Sequence, residues 1–361
     1  MTEVDAVLAN YSPDLRPVQI EPNVATSVEY LGSAGGMSGA QFWRIQAPRG
    51  TFALRRWPTE HPSPERLQFL HGVLRHAASR GCKFLPVPAT AQTGQSFVSH
   101  GGHLWELAPW MPGVADYECL PSRDKLRSAL TTLATFHIAV SDFPRSTAPG
   151  SAGFTTAVVR HLARLRDLTP TTIAHLANAI SNDTWPDLAP LARQFVAALP
   201  TAIPKAIAQL QPLAKKIFPL QPCLRDIWHD HVLFTGDEVT GLVDFGAIDI
   251  DTPATDIARL LGSFASISPL PYREGPGEGS LGSAPGQLQT WQEGLAAYNT
   301  IRRLSSDETS AVHALHASGT ILAGCNWIRW LYIDHNTFDD PARIIERFQR
   351  ILAAASTSST D

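Results

Sequence analysis

One stretch restricts this chain more than any other: Leu224-Arg225-Asp226-Ile227-Trp228-His229-Asp230-His231-Val232-Leu233-Phe234, followed by Val239-Thr240-Gly241-Leu242-Val243-Asp244-Phe245-Gly246. Val232–Phe234 and Thr240–Val243 read as short apolar strands joined by the polar turn Thr235-Gly236-Asp237-Glu238. Asp226 stands in a loop just before the first strand and Asp244 at the end of the second. A ribbon this short brings its two ends together, so the carboxylates are expected to be neighbours although eighteen positions apart. Carboxylates that converge repel one another, and such sites ordinarily hold a divalent cation or a substrate proton.

Composition bounds the class of protein around that feature. The chain has 361 residues, about two domains at roughly 150 residues each. Apolar residues are 44% of it, with 15 Phe, nine Trp and six Tyr, which is material for packed cores and excludes dominant disorder. A formal charge of −4 argues against a general nucleic-acid binder, which needs a broad basic surface. Gly319–Ile333 is the longest candidate for a span, and it is too short and carries Asn326 and Arg329, so no membrane association is expected. The acidic opening MTEVDAVLANYSPDL lacks the layout of a secretory signal. Cys82, Cys119, Cys223 and Cys325 stand far apart with no CxxC spacing, which indicates neither a zinc ribbon nor a disulfide framework. A cytoplasmic protein with no obligate protein partner is the expectation.

The first third reads as strands. Ser27–Leu31 precedes the glycine cluster Gly32–Gly39; Ala40–Ala47 and Thr51–Trp57 flank the turn Pro48–Gly50 and predict a hairpin. Ser63, then Pro64, opens a helix whose apolar positions Leu67, Leu70, Val73, Leu74 and Ala77 recur at helical spacing, with Gly81 as its stop. A second hairpin turns at Gly101-Gly102 and closes at Pro112-Gly113. From Ser122 onward the pattern is helical, with helices near 122–137, 154–168, 171–181, 187–199, 287–304, 308–333 and 341–355. Residues 264–286, rich in Gly, Ser and Pro, read as a long surface loop. The order predicts an α+β, bilobal fold: a small antiparallel β-rich N-lobe over residues 1–112, its first 26 residues partly irregular, and a larger, mainly helical C-lobe over residues 113–361.

The catalytic stretch resembles that of the aminoglycoside phosphotransferase and choline kinase-like family, relatives of the protein kinases. In that family an H-x-D-x-x-x-x-N loop precedes a strand pair, an I-D-[FWY]-x motif and then D-P-x-x-D-[LI]-A. Asp226 takes the place of the loop's Asp; Val243-Asp244-Phe245-Gly246 matches the second motif; Asp251-Thr252-Pro253-Ala254-Thr255-Asp256-Ile257-Ala258 matches the third, with Thr252 inserted. Further landmarks follow in register: Gly35-Gly36-Met37-Ser38-Gly39, Ala53-Leu54-Arg55-Arg56, Trp105–Gly113 at the hinge, and Leu133-Ala134-Thr135-Phe136-His137.

The resemblance implies a protein kinase-like fold and an ATP-dependent phosphotransferase moving the γ-phosphate to a hydroxyl of a small molecule: a sugar, an amino alcohol or an aminoglycoside-like compound. Gly35, Gly36, Ser38 and Gly39 are the candidates to cradle phosphates through backbone amides. Arg55 supplies the strand cation in place of the commoner Lys, and Glu65, or else His71, is the candidate to pair with it. The backbone of Glu106–Ala108 would face the adenine. Asp226 would accept or orient the substrate hydroxyl's proton, and Asp244 would hold Mg²⁺. Asp251 and Asp256 are implied to brace the catalytic loop through its amides, and His137 reads as a satisfied core histidine.

Two positions depart from the family. Leu224 replaces the His of H-x-D, and His231 replaces the metal-binding Asn. Imidazole is a poor ligand for Mg²⁺, so either a second metal site is lost, or Asp230 supplies an oxygen, or Mn²⁺ is used. These departures motivate an alternative: a pseudokinase-like protein that binds nucleotide or ligand without transfer. A third reading takes Asp226, His229, His231 and Asp244 as a transition-metal hydrolase site, with two imidazoles on one strand face.

Overall fold

The computed structural model describes residues 2–17, 27–33, 39–144, 152–267, 283–338 and 340–357. In chain order its first elements are α1 (Glu3–Leu8), β1 (Val28–Gly32), β2 (Gln41–Ala47), β3 (Gly50–Arg56), α2 (Pro64–Ser79), β4 (Val98–His100) and β5 (His103–Pro109). Then come α3 (Arg123–Ala139), β6 (Ala152–Gly153), α4 (Thr156–Arg166), α5 (Pro170–Ala179), α6 (Ala189–Leu213), β7 (Phe218–Pro219) and β8 (Gln221–Cys223). The last are β9 (Val232–Thr235), β10 (Glu238–Leu242), β11 (Asp249–Asp251), α7 (Ala254–Ile267), α8 (Ser283–Ile301), α9 (Ser306–Ile328) and α10 (Pro341–Thr357). The chain divides into two compact units, Met1–Val114 with Val232–Gly246, and Ala115–His231 with Ala247–Asp361.

In the first unit five antiparallel strands lie in the order β1-β2-β3-β5-β4. The β3–β5 register sets Arg55 directly opposite Glu106 and Ala53 opposite Ala108. One face of the sheet packs Ile45, Leu54, Trp105 and Leu107 against Val4, Val7, Leu8, Tyr11 and Leu15, so the N-terminal segment forms part of the core. The sequence pattern reads as partly irregular there because α1 has only six residues, too few to show helical periodicity. Its start is held by a capping box between Thr2 and Asp5. On α2, Ser63 accepts from the Arg66 amide at 3.2 Å and Pro64 stands in the first turn, as the sequence predicts. The β9–β10 hairpin belongs to this unit as well. Phe234 pairs with Val114, and Thr240 Oγ1 donates to the Pro112 carbonyl at 2.9 Å. A Cβ on Gly113, at φ +95°, would stand 2.7 Å from the Phe234 carbonyl oxygen, so this crossing requires glycine.

The second unit is mainly helical. α6 runs to Leu213, past the expected end at 199, and contains Pro200, Pro204 and Pro212. Each interior proline costs about 3 kcal/mol in an exposed helix. Here Phe195, Val196, Leu199, Ile203, Ala206 and Leu210 bury one continuous face that outweighs the loss. Residues 264–267 end α7 and residues 283–286 begin α8, so both ends of the expected long loop are helical, while 268–282 lie outside the described residues. After α9 the chain passes through one π turn, Arg329–Ile333. β8 pairs antiparallel with β11, Cys223 opposite Asp249 and Gln221 opposite Asp251, and this ladder delivers the chain into Leu224-Arg225-Asp226. No helix among the described residues is long and apolar enough to cross a membrane.

Candidate active site

Arg55 leaves β3 with its guanidinium between two carboxylates of its own unit. Nη1 is 3.9 Å from Glu106 Oε1, and Nη2 is 4.0 Å from Asp244 Oδ1. Both separations exceed a hydrogen bond, and the buried Arg55 Nε has no acceptor. The guanidinium carbon stacks 3.4 Å from the centroid of the Trp57 ring, which fixes its plane. Behind it, Glu106 Oε2 meets His71 Nε2 at 2.7 Å, and His71 Nδ1 meets Ser96 Oγ at 2.7 Å. Burial by itself pushes the Glu106 carboxyl up, but the His71 hydrogen bond and the His71 and Arg55 charges overcome it and hold the group below its usual range. Ser96, His71, Glu106 and Arg55 thus form a line of buried polar side chains ending at the half-exposed Asp244 carboxylate. Asp244 itself has φ 63°, a left-handed conformation that a short acidic side chain tolerates better than most.

This arrangement corrects two expectations. Glu65 is fully exposed in the first turn of α2, where its own backbone amide and then the Ser63 side chain lower its pKa; the acids beside Arg55 are Glu106 and Asp244. His71 is the α2 residue in the cluster, and it acts on Arg55 through Glu106. The hinge expectation also changes. The Leu104 carbonyl accepts from the Trp57 amide, so alternation along β5 turns the backbone groups of Glu106 and Ala108 toward β3. Leu107 is the residue turned outward, and its carbonyl accepts from the Ala89 amide at 2.7 Å. Gly35, Gly36 and Ser38 lie outside the described residues; Gly39 is described, with φ +72°.

In the second unit Asp226 follows Arg225, another left-handed residue at φ 64°. The Asp256 carboxylate holds this turn from beneath, accepting from the Leu224 and Arg225 amides, each at 2.6 Å, and from His137 at 3.0 Å. Burial depresses the His137 pKa despite Asp256, so the neutral ring donates from Nε2 and accepts the Tyr298 hydroxyl at Nδ1, 2.7 Å away. Asp256 therefore braces the loop as the resemblance implies, and His137 is a satisfied core histidine. Asp251 does something else: it accepts from Thr155 Oγ1, Thr156 Oγ1 and the Ala157 amide. It caps α4 from a distant part of the chain, at a terminus whose own Thr155 makes no side-chain cap. The half-exposed Asp226 carboxylate pairs with Arg259 of α7.

His231 is not placed to ligate a metal. Its Nδ1 donates to the Asp226 carbonyl at 2.8 Å, and its Nε2 accepts from Trp228 Nε1 at 2.8 Å. The ring is a brace for the loop that carries Asp226. Asp230 is no substitute donor, since Oδ1 faces His229 at 3.2 Å and Oδ2 pairs with Arg343. His229 and His231 sit on a tight helical turn rather than a strand, so the shared face expected for a hydrolase site does not form. Among the described residues two groups have ligand-like spacing, His137-Cys223-Asp256 and Glu118-His229-Asp230. In the first, His137 and Asp256 are taken up by the loop brace; in the second, Glu118 and Asp230 are paired with Arg350 and Arg343. Sequence reasoning named His71 as the alternative to Glu65 and Glu106 for its backbone; it missed the Glu106 side chain as the acid beside Arg55, and Arg259 beside Asp226. A polar residue at an inward strand position, as Glu106 is, was the available signal.

The donors fit the ligands a kinase needs. Asp244 offers a hard, half-exposed oxygen suited to Mg²⁺, and Arg55 keeps a buried N–H without an acceptor, as an anion-binding guanidinium would. Residues 30–298 match the phosphotransferase enzyme family. A homoserine kinase of Beijerinckia indica subsp. indica is 22% identical over 339 residues, 92% of this chain and 90% of its own. An aminoglycoside phosphotransferase of Alicyclobacillus acidocaldarius superposes with a TM-score of 0.62 at 17% identity, over 98% of this chain and 92% of its own. A microcompartment-associated aminopropanol kinase gives 0.62 at 12% identity, over 98% and 97%. At such identities the two solved structures establish a shared α+β fold.

Proposed function

The chain belongs to the phosphotransferase enzyme family, and we propose that it is a small-molecule kinase that moves the γ-phosphoryl group of ATP to an acceptor hydroxyl. One observation carries the reading: a buried arginine held beside Asp244 with an unsatisfied donor, in a chain whose second unit presents Asp226 on a braced turn. Phosphoryl transfer demands positioning and charge neutralisation above all. Arg55 would take the phosphate oxygens, its plane set by Trp57 and its position by Glu106 and His71. Gly35, Gly36, Ser38 and Gly39 would add backbone amides over the same oxygens. Asp244 would hold Mg²⁺, which when bound neutralises charge on the phosphates. The case for Mn²⁺ rested on an imidazole ligand, and His231 is engaged elsewhere.

Asp226 would orient the acceptor hydroxyl and receive its proton. Its turn is positioned from two sides: Asp256 holds the two preceding amides, and His231 holds the Asp226 carbonyl. Leu224 removes the side chain the family uses at that point, and the Asp256 carboxylate supports the backbone instead. ADP release measured against a panel of hydroxylated acceptors tests the assignment. Asp226→Ala is expected to lower turnover by about 10²–10⁴-fold while the thermal shift with Mg²⁺ and ATP persists. An Asp226→Ala enzyme with full turnover refutes the role.

A further inference from the structure

The surroundings of Asp226 within the second unit are basic. Arg160 and Arg164 stand one turn apart on α4, both exposed. Arg164 Nη2 donates to the Asn326 side-chain oxygen at 2.7 Å, a neutral partner. Arg160 has no hydrogen bond or ion pair among the described residues. Arg259 pairs with Asp226, and Arg225 pairs with Asp249 at 2.9 Å. All four guanidiniums act on one imidazole: burial first, and then Arg160, Arg164, Arg259 and Arg225, push His161 down to about 4, while its Nδ1 bonds Ser318 Oγ at 2.8 Å. The nearby acids do not balance them. Asp226 pairs with Arg259 and Asp249 with Arg225, while the buried Asp251, bonded to Thr155, Thr156 and the Ala157 amide, adds a third negative charge that, with Asp249, attracts Arg160.

A patch with one guanidinium in excess, its Arg160 in no ion pair among the described residues and its Arg164 on a neutral partner, suits a negatively charged ligand and repels a polycation. The arginine fork matches a carboxylate in particular. Because Arg259 touches Asp226 directly, a hydroxyl placed on Asp226 leaves any anion within a few bonds of it close to Arg259. We infer that Arg160, Arg164 and Arg259 bind a carboxylate of the acceptor, so that the substrate is a small hydroxy acid rather than an amino sugar or a simple amino alcohol. The inference rests on the placement of the acceptor hydroxyl at Asp226.

Initial rates of ADP release are compared for L-homoserine, L-serine and 4-hydroxybutyrate, for the carboxamide of homoserine, for 3-amino-1-propanol and for kanamycin. At least one hydroxy acid is expected to exceed its uncharged counterpart in kcat/KM by about tenfold or more, and Arg160→Gln and Arg259→Gln to reduce that preference through KM by about 10–100-fold. A carboxamide, amino alcohol or kanamycin turned over as well as the acids, or a preference untouched in both variants, overturns the inference while leaving the kinase assignment intact. If no acceptor is turned over, calorimetric titration of the three acids decides: binding that weakens in Arg160→Gln supports it, and no binding overturns it. Failure of the kinase assignment shows differently, as absence of any metal-dependent binding of ATP.

Discussion

Arg55 and Arg259 each stand beside a carboxylate assigned to the reaction, yet the Arg55 side chain is 11% exposed and that of Arg259 46%. The buried guanidinium is stacked on Trp57 and backed by Glu106, His71 and Ser96, each partner fixing the next. The exposed one has one acid partner among the described residues and a basic neighbourhood. Removing a charge from water is costly unless its partners are already in place, so the first centre is built before any ligand arrives. The second keeps its charges hydrated and can rearrange around whatever binds. A fixed centre suits a ligand common to a whole family, and an adaptable one suits an acceptor that differs between members.

The largest effect that sharpens this contrast is on turnover. Asp244→Asn should lower kcat by about 10³-fold or more and abolish the magnesium dependence of ATP binding, which Asp226→Asn should leave in place. Equal loss of metal-dependent binding in both variants would erase the division of labour. Next comes stability. Glu106→Gln leaves Arg55 with one distant acid and is expected to cost about 3 kcal/mol, read as a lower denaturation midpoint together with a raised KM for ATP. Arg259→Gln, which breaks an exposed pair, should cost at most about 1 kcal/mol.

Acid provides a third test. His161 and His316 are both pushed down to about 4, by burial first, and for His161 by the neighbouring arginines. The unfolded chain therefore binds more protons between pH 6.5 and 4. Stability is level above 6.5 and falls below it by at most about 1.4 kcal/mol per pH unit for each histidine. Glu106 is shifted the other way relative to its charge: its contribution is complete above its ordinary value of 4.5 and is lost only below that. Hydrogen exchange at pH 7 and 5.5 should accordingly show the second unit weakening while the Arg55 cluster stays protected. The smallest change expected is Ser96→Ala, which removes one hydrogen bond from His71 and should cost about 1 kcal/mol with a modest rise in the KM for ATP.

The alternation of apolar residues and turn glycines made the antiparallel sheet and the β9–β10 hairpin legible, and helical spacing with Ser63 and Ser122 as caps located α2 and α3. Those signals are local, set by neighbours within a few positions. Motif order was equally readable, because Asp226, Asp244 and Asp256 keep their spacing along the chain. What a side chain bonds to is decided by parts of the chain that spacing does not connect. Whether Glu65 or Glu106 meets Arg55 depends on strand register, which sets Glu106 opposite Arg55 and leaves Glu65 in solvent. Likewise Asp251 departs from Asp256 in role because α4 is packed with its N-terminus on one and not the other. His231 follows the same rule: five residues after Asp226 it looks like a ligand, and only the folded turn shows both ring nitrogens already occupied. Residue type and short-range period select the elements; long-range packing, through the cost of leaving any buried donor or acceptor unpaired, selects the partners.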